Sequence, residues 1–288
     1  MSAPLRTLQL DDDDYPAMLR RVTRPPRVLF VQGSLDGLDR AIAIVGTRRA
    51  TPAALALTRS IARGLAERGV VIVSGGAEGV DRVAHEGALE AGGRTIAVLP
   101  TSLDAPYPRK HAALFETIAS RGARLSEHAH TARPQKAYFL ERNRIIAALS
   151  RGVIVTQAPW KSGALRTAHD ARALGLRVLT CPWSASEPLA AGGLELLASG
   201  AGLCRDVNDA LSLLGETSTR RETKRAKRTH AGDEALVMSL LDDVAIDREA
   251  LVLRAGIDAS RVQIALLTLV LDGSVIEDAR GVRVAPSR

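Results

Sequence analysis

Between residues 41 and 181, five short apolar runs alternate with longer stretches of helical periodicity, and this alternation constrains the fold of the 288-residue chain more than any other feature. The runs are AIAIVG (41–46), VVIVSG (70–75), TIAVLP (95–100), GVIVTQA (152–158) and LRVLTCP (176–182). They are dominated by consecutive aliphatic residues instead of alternating apolar with polar ones, as strands buried on both faces require. The intervening stretches 52–68, 79–91, 110–121, 141–149 and 164–174 place apolar residues at helical spacing. Strands alternating with helices predict an α/β domain built on a mostly parallel sheet. A shorter strand is expected at 124–126 and a further helix at 188–199. Ahead of the sheet, YPAMLRRVTRPPRVLFVQG (15–33) reads as an amphipathic turn or helix, a double-proline break and a short strand.

The alternation stops before residue 216. ETSTRRETKRAKRTHA (216–231) has no apolar periodicity and is dense in charge, which predicts a basic flexible linker. The last 57 residues, 232–288, follow a different pattern of three short helices and a β-hairpin, the layout of a small winged-helix domain. In it Asp247 and either Asp258 or Ser260 are expected N-caps, and 275–276 with 282–284 form the wing around the ARG turn. The expected organisation is a sheet domain over 1–215, the linker, and the winged helix.

Charge separates these parts. The net charge is +7, with 27 basic and 20 acidic residues in 1–215, 6 and 2 in the linker, and 6 and 10 in 232–288. A polyanionic partner is therefore expected on the sheet domain. The third winged helix, SRVQIALLTLVLDG, offers Arg261 and Gln263 but is mostly aliphatic, which suits protein contact or packing better than groove reading. The two cysteines, Cys181 and Cys204, are isolated in sequence, which excludes a disulfide framework or a Cys-rich zinc site and fits a reducing, cytoplasmic setting. No run is long and apolar enough for a membrane span, and the start lacks a leader pattern, so no membrane association is expected.

In an open α/β sheet, ligands bind beyond the carboxyl ends of the strands, and four strand ends here carry unusual polar sequence. In GTRRAT (46–51) a glycine turn, Thr47, backbone N–H groups and Arg48 suit an oxyanion, although a plain strand-to-helix turn has the same form. In SGGAEGVDRVAHEGAL (74–89), Ser74, Gly75, Gly76 and Gly79 allow close backbone approach, and Asp81 shares a helical face with His85. That pair lacks a nucleophile and makes no triad, so His85 is read as a structural hydrogen-bonder. In FLERNRIIAALS (139–150), Arg142, Asn143 and Arg144 stand at a helix head and suit phosphate and base edges, or else cap acidic neighbours and support a loop. In APWKSGALRTAHDA (158–171), Lys161, Ser162 and Gly163 precede a helix and converge on an anion, with Trp160 stacking a base or shielding the loop. Too few carboxylates accompany these groups for a two-metal nuclease, so they read as a binding surface and not as an enzyme site. With eight aromatic residues in the chain, backbone grip is expected to dominate over stacking.

Taken in order, these motifs resemble the DprA/Smf family of DNA-processing proteins. The resemblance rests on Tyr15-Pro16 with Pro25-Pro26, VGTRRAT, SGGAEGVDRVAHEGAL, TIAVLPTSLDAPYPRKH, FLERNRIIAALS and KSGALRTAHDA, covers about residues 10 to 205, and extends in kind to the winged-helix tail. It implies an extended Rossmann-like fold, single-stranded DNA binding without sequence preference, homodimerisation, and loading of the RecA recombinase in natural transformation with displacement of single-strand-binding protein. It implies no cofactor and no metal. Carried over by motif, the DNA-binding set is Arg48, Ser74, Gly75, Gly76, Arg142, Asn143, Arg144, Lys161 and Ser162. Glu78 stands where many members carry a basic residue, which shifts the expected contact to Arg82. Cys181-Pro182-Trp183 and Leu194 are further departures. Two other readings remain open. One is a nucleotide phosphoribohydrolase-like enzyme, for which Glu78 or Asp81 would supply the carboxylate. The other is a transcription regulator reading duplex DNA with the winged helix.

Overall fold

The computed structural model describes residues 4–129, 135–216, 232–242, 244–271, 274–278 and 281–285. The chain divides into two compact units, residues 1–220 and 221–288. Of the stretch read as a linker, residues 217–231 lie outside the described residues, as do the wing-turn residues 279–280.

The first unit runs β1 (Leu5–Gln9), β2 (Val28–Gly33), β3 (Ala41–Val45), α1 (Pro52–Ala66), β4 (Val71–Ser74), α2 (Val80–Glu90), β5 (Thr95–Val98), α3 (Ala112–Arg121) and β6 (Ala123–Ser126). It continues through α4 (Lys136–Glu141), α5 (Asn143–Ala148), β7 (Gly152–Val155), α6 (Gly163–Ala173), β8 (Arg177–Thr180), α7 (Ala191–Ala198), β9 (Gly202–Leu203) and α8 (Val207–Leu211). The strands form one sheet in the order β1-β2-β6-β5-β4-β3-β7-β8-β9. From β6 to β9 every pairing is parallel, and the lead-in strands β1 and β2 add antiparallel pairs at one edge. All five expected apolar runs are strands of this sheet. The edge strands β1 and β9 add to them: β1 buries only Leu8, and β9 is exposed along its two residues, so neither has the apolar signature of an interior strand.

Two-sided burial explains the aliphatic runs. Along β3, Ala41, Ala43 and Val45 face a core shared with Ile145 and Ile146 of α5 and Ala168 of α6. Ile42 and Ile44 face the opposite core, shared with Ile61 and Leu65 of α1 and Ala84 of α2. The sheet is thus covered by helices on both faces, and removing a side chain such as Ile44, which is fully buried, costs about 2–5 kcal/mol. Helix starts follow local chemistry: the Thr51 hydroxyl accepts the Ala54 N–H with Pro52 in the first turn of α1, and Ser162 Oγ accepts the Ala164 N–H at the head of α6.

Strand order reverses between β3 and β7. Successive units proceed from β3 through β4 and β5 to β6 on one side, and the chain then crosses to β7 and β8 on the other. The two loops leaving this switch point are tied together, because Thr47 N–H donates to Gln157 O at 2.7 Å and Thr51 N–H to Gln157 Oε1 at 2.9 Å. Beyond β8, Trp183 Nε1 donates to Thr156 O at 2.6 Å, which anchors the Cys181-Pro182-Trp183 departure onto the end of β7.

The second unit contains α9 (Asp233–Ser239), α10 (Arg248–Ala255), α11 (Ala259–Leu271), β10 (Val275–Asp278) and β11 (Gly281–Val284). Asp247 caps α10, accepting from the N–H groups of Glu249 and Ala250, and Asp258 accepts the Ser260 N–H at the start of α11. Val237, Leu251, Val262, Leu266, Leu269, Val275 and Val282 form its core. Ile246 exchanges two backbone hydrogen bonds with Val282, so the hairpin gains a third contact beside α10.

Candidate functional site

At the carboxyl end of the sheet, over the β3/β7 switch point, lies a cleft of about 940 Å³. This is where a doubly wound sheet opens a crevice. One wall is the β3–α1 loop with Thr47, Arg48 and Arg49; the facing wall is the turn Lys161-Ser162-Gly163 and the first turn of α6. Lys136, Phe139 and Leu140 of α4 cover one side, and Arg142, Asn143 and Asp81 belong to its lining as well. Six cationic side chains, those of Arg48, Arg49, Lys136, Arg142, Lys161 and Arg166, meet a single carboxylate, Asp81. Among the described residues, Arg48, Arg49, Lys136 and Lys161 have no ion-pair partner, whereas Arg166 pairs with Asp170 at 2.9 Å. The positive end of the α6 dipole adds to this field.

Lys161 is the described non-glycine residue with a left-handed backbone, at φ 57°. Such a conformation costs about 1–2 kcal/mol for an L-residue. It is held by the Ser162 N–H donating to Pro159 O at 3.2 Å and by the Ser162 cap on α6. Across the cleft the Arg48 guanidinium lies over the Phe139 ring, 5.2 Å from its centroid, and Tyr107 meets Phe139 edge to face at 5.5 Å. Arg48 therefore presents a flat cationic face backed by an aromatic one, suited to phosphate and base surfaces.

The RNR residues are placed differently from one another and from the sequence expectation. Arg142 is buried, and its guanidinium donates to the carbonyls of Gly75 and Val98, at the ends of β4 and β5, while Nε donates to Asn143 Oδ1 at 3.0 Å. Asp81 Oδ2 lies 3.8 Å from Arg142 Nη2. Burial pulls the Arg142 guanidinium down to about 10, more than Asp81 restores, so the group stays cationic at neutral pH; burial likewise pushes the Asp81 carboxyl up. Arg142 is thus a clamp under the cleft, with its donors engaged on strand ends. Asn143 carries the clamp onward, its Nδ2 donating to Gly163 O at 3.1 Å.

Arg144 does not line the cleft. It forms a two-pronged pair with Glu127 at 2.7 and 2.8 Å and donates to the carbonyls of Arg24 and Glu141 at 2.8 Å, tying α5 to the lead-in segment and to the end of β6. Its expected place beside Arg48 and Lys161 is corrected by these partners. Ser74 is also turned inward, donating to Ile44 O at 2.6 Å. Gly75 makes room for the clamp: a Cβ there would sit 2.1 Å from Arg142 Nη1. Gly76, at φ +68°, has Phe115 where a side chain would go and offers its carbonyl to His111 Nδ1 at 3.0 Å. Arg82 pairs with Glu86 at 2.7 Å on the outer face of α2 and is not part of the cleft lining, so the contact does not shift to it.

The second strand-end motif also resolves. His85 does not serve Asp81; its Nδ1 meets Thr95 Oγ1 at 2.7 Å. Thr95 gives its own proton to Ile72 O, so it accepts from Nδ1–H and fixes the neutral tautomer. Burial lowers the His85 imidazole to about 3. Trp160 is 58% exposed and outside the cleft lining, and Tyr138 stacks on His128 at 3.9 Å. Sequence reading had missed Arg49, Lys136 and Tyr107 as lining residues. Arg49 directly follows Arg48 and Tyr107 lies in the quoted YP segment, but Lys136 carries no motif of its own and reaches the cleft only because α4 folds over it.

Comparison with known proteins agrees with this architecture. A family model described as DNA recombination-mediator protein A matches residues 6–215, and one described as the DprA winged helix domain matches residues 221–278. Protein Smf of Synechocystis is 44% identical over 210 residues, which are 71% of this chain and 53% of that protein, so the chain spans about half the length of this curated relative. The structure of DNA processing protein A from Streptococcus pneumoniae superposes with a TM-score of 0.69 at 38% identity, covering 72% of this chain and 74% of the other. A Helicobacter pylori structure, described for the single-stranded DNA binding mode of DNA processing protein A, gives a TM-score of 0.66 at 36% identity over 74% of this chain and 98% of that one.

Proposed function

The chain belongs to the DNA recombination-mediator protein A family, the DprA/Smf family that its motifs resemble, and from this premise we propose that its cleft binds single-stranded DNA without sequence preference. The observation that carries the reading is the set of four cations with no ion-pair partner among the described residues, Arg48, Arg49, Lys136 and Lys161, gathered at the sheet's switch point. A cation already paired in the free protein must break that pair to hold phosphate, whereas these four exchange only water and counterions. Arg48 and Lys161 approach the backbone from facing walls, Ser162 and the head of α6 add hydrogen-bond donors, and the Tyr107–Phe139 pair gives one base a flat surface. Arg142 and Asn143 hold the walls at a fixed spacing by joining the ends of β4 and β5 to the α6 turn. The same arrangement favours binding over catalysis, because Asp81, the carboxylate in the cleft lining, is buried beside Arg142 and not poised towards open space.

In this reading the protein is a recombination mediator of natural transformation in the cytoplasm, loading RecA on incoming single strands and helping displace single-strand-binding protein. It works as a homodimer. Edge strand β9, with Leu203 48% exposed, is the apolar surface that suits the dimer contact. The test is binding of a long single-stranded oligonucleotide and of its duplex, measured by fluorescence anisotropy from about 50 to 200 mM salt. The single strand is expected to bind at least tenfold tighter, with log K falling by about 0.7 per phosphate neutralised for each unit of log salt. Tighter binding to one particular duplex sequence would instead favour the regulator reading, and release of a base from a nucleoside monophosphate the enzyme reading.

A further inference from the structure

On the rim of the cleft one carboxylate stands where it opposes the proposed ligand. Glu78 follows β4, is half-exposed, and borders a small annex of the cleft together with Arg48, Tyr107, Pro108 and Phe139. Its Oε1 pairs with Lys110 Nζ at 2.8 Å. Lys110, on the turn that follows Tyr107-Pro108, is thereby neutralised in the free protein, unlike Arg48 and Lys161. The Lys110 hydrogen bond holds the Glu78 carboxyl below its ordinary range, with the charges of His111 and Arg48 adding to the effect, so the carboxylate is ionised at working pH.

We propose that Glu78 is an affinity-setting residue, which occupies Lys110 and competes with a ligand phosphate for it. This rests on the reading of the cleft as a single-stranded DNA site. Both partners of the pair are at least half-exposed, so the competition is modest and reversible: a strand entering the annex must displace the carboxylate to reach Lys110, and the carboxylate regains Lys110 when the strand leaves. Glu78 therefore weakens the grip at one end of the cleft and favours release, a useful property in a protein that hands its strand to another.

The test measures oligonucleotide affinity and its salt slope for the full chain and for Glu78→Gln, Glu78→Lys, Lys110→Gln and the Glu78→Gln/Lys110→Gln pair. Glu67→Gln is the charge-matched control, since Glu67 pairs with Arg63 at the far end of α1. Glu78→Gln is expected to tighten binding about three- to fivefold and to steepen the salt slope by about 0.7, because one more phosphate is neutralised. Glu78→Lys should exceed it, Glu67→Gln should match wild type, and the gain of Glu78→Gln should vanish when Lys110 is also replaced. A Glu78→Gln protein that binds no tighter than wild type overturns the proposal, as does a gain that survives loss of Lys110. Arg48→Ala separates the two levels: if it loses binding while Glu78→Gln is silent, only the role of Glu78 falls; if it too is silent, the cleft reading falls with it.

Discussion

The two units use arginine in opposite ways. In the winged-helix unit Arg261, the best-placed donor of α11, is held by Asp233 through two hydrogen bonds of 2.6 and 2.8 Å, Arg248 pairs with Glu277 and Arg283 with Asp278. The open positions of α11 are apolar instead, with Ile264 67% and Leu267 60% exposed. The sheet unit leaves cations without carboxylate partners at one cleft and satisfies the others elsewhere, as with Arg144 on Glu127. Basic residues in a sequence therefore say less about a polyanion site than the partners those residues have after folding. A guanidinium already engaged with protein oxygens gains little by exchanging them for phosphate.

The sharpest break in this comparison should come from Arg142. Replacing it by alanine leaves Asp81 and the carbonyls of Gly75 and Val98 buried without a partner, and should cost the sheet unit about 3–5 kcal/mol in urea unfolding while leaving the winged-helix unit unaffected. A variant that unfolds at the wild-type midpoint yet no longer binds DNA would make Arg142 a direct ligand.

Acid should separate the units next. His85 holds a proton in the folded state only near pH 3, against 6.5 when unfolded, so between these values the unfolded chain binds one proton more and stability falls as pH drops. The loss is about 1.4 kcal/mol per pH unit, or about 2 kcal/mol from pH 6.5 to 5, and His85→Gln should flatten it. The chain from residue 232 onward contains no histidine, and its unfolding should not change over that range. Equal acid sensitivity of the two transitions would refute this assignment.

Binding gives the smaller effects. Arg48→Ala should weaken single-strand affinity about tenfold and reduce the salt slope by about 0.7 without moving the unfolding midpoint. Arg144→Ala should lower stability and leave the salt slope as it is, because its charge already belongs to Glu127. Deleting 232–288 should change affinity less than about twofold at fixed salt, since the unit is acidic and its described arginines on α11 and the hairpin are paired. A loss of tenfold or more on deletion would return the winged helix to the DNA-binding surface.

Much of the fold was legible because its signals are local. Aliphatic runs buried on two faces marked the interior strands, Thr51, Ser162 and Asp247 marked helix starts, and the rule that ligands gather beyond strand ends pointed to Arg48, Lys161 and Ser162 before any coordinate was available. Strands β1 and β9 escaped because an edge strand need not be apolar. Within RNR the sequence alone showed three polar residues at a helix head and no means of ranking them. Only the tertiary structure decided that Arg142 would reach the carbonyls of residues 67 and 44 positions away, that Arg144 would find Glu127, and that Arg48 would be left free above Phe139. Periodicity and capping are settled within a few residues, whereas whether a charge is satisfied depends on which distant oxygens the packed sheet brings within reach.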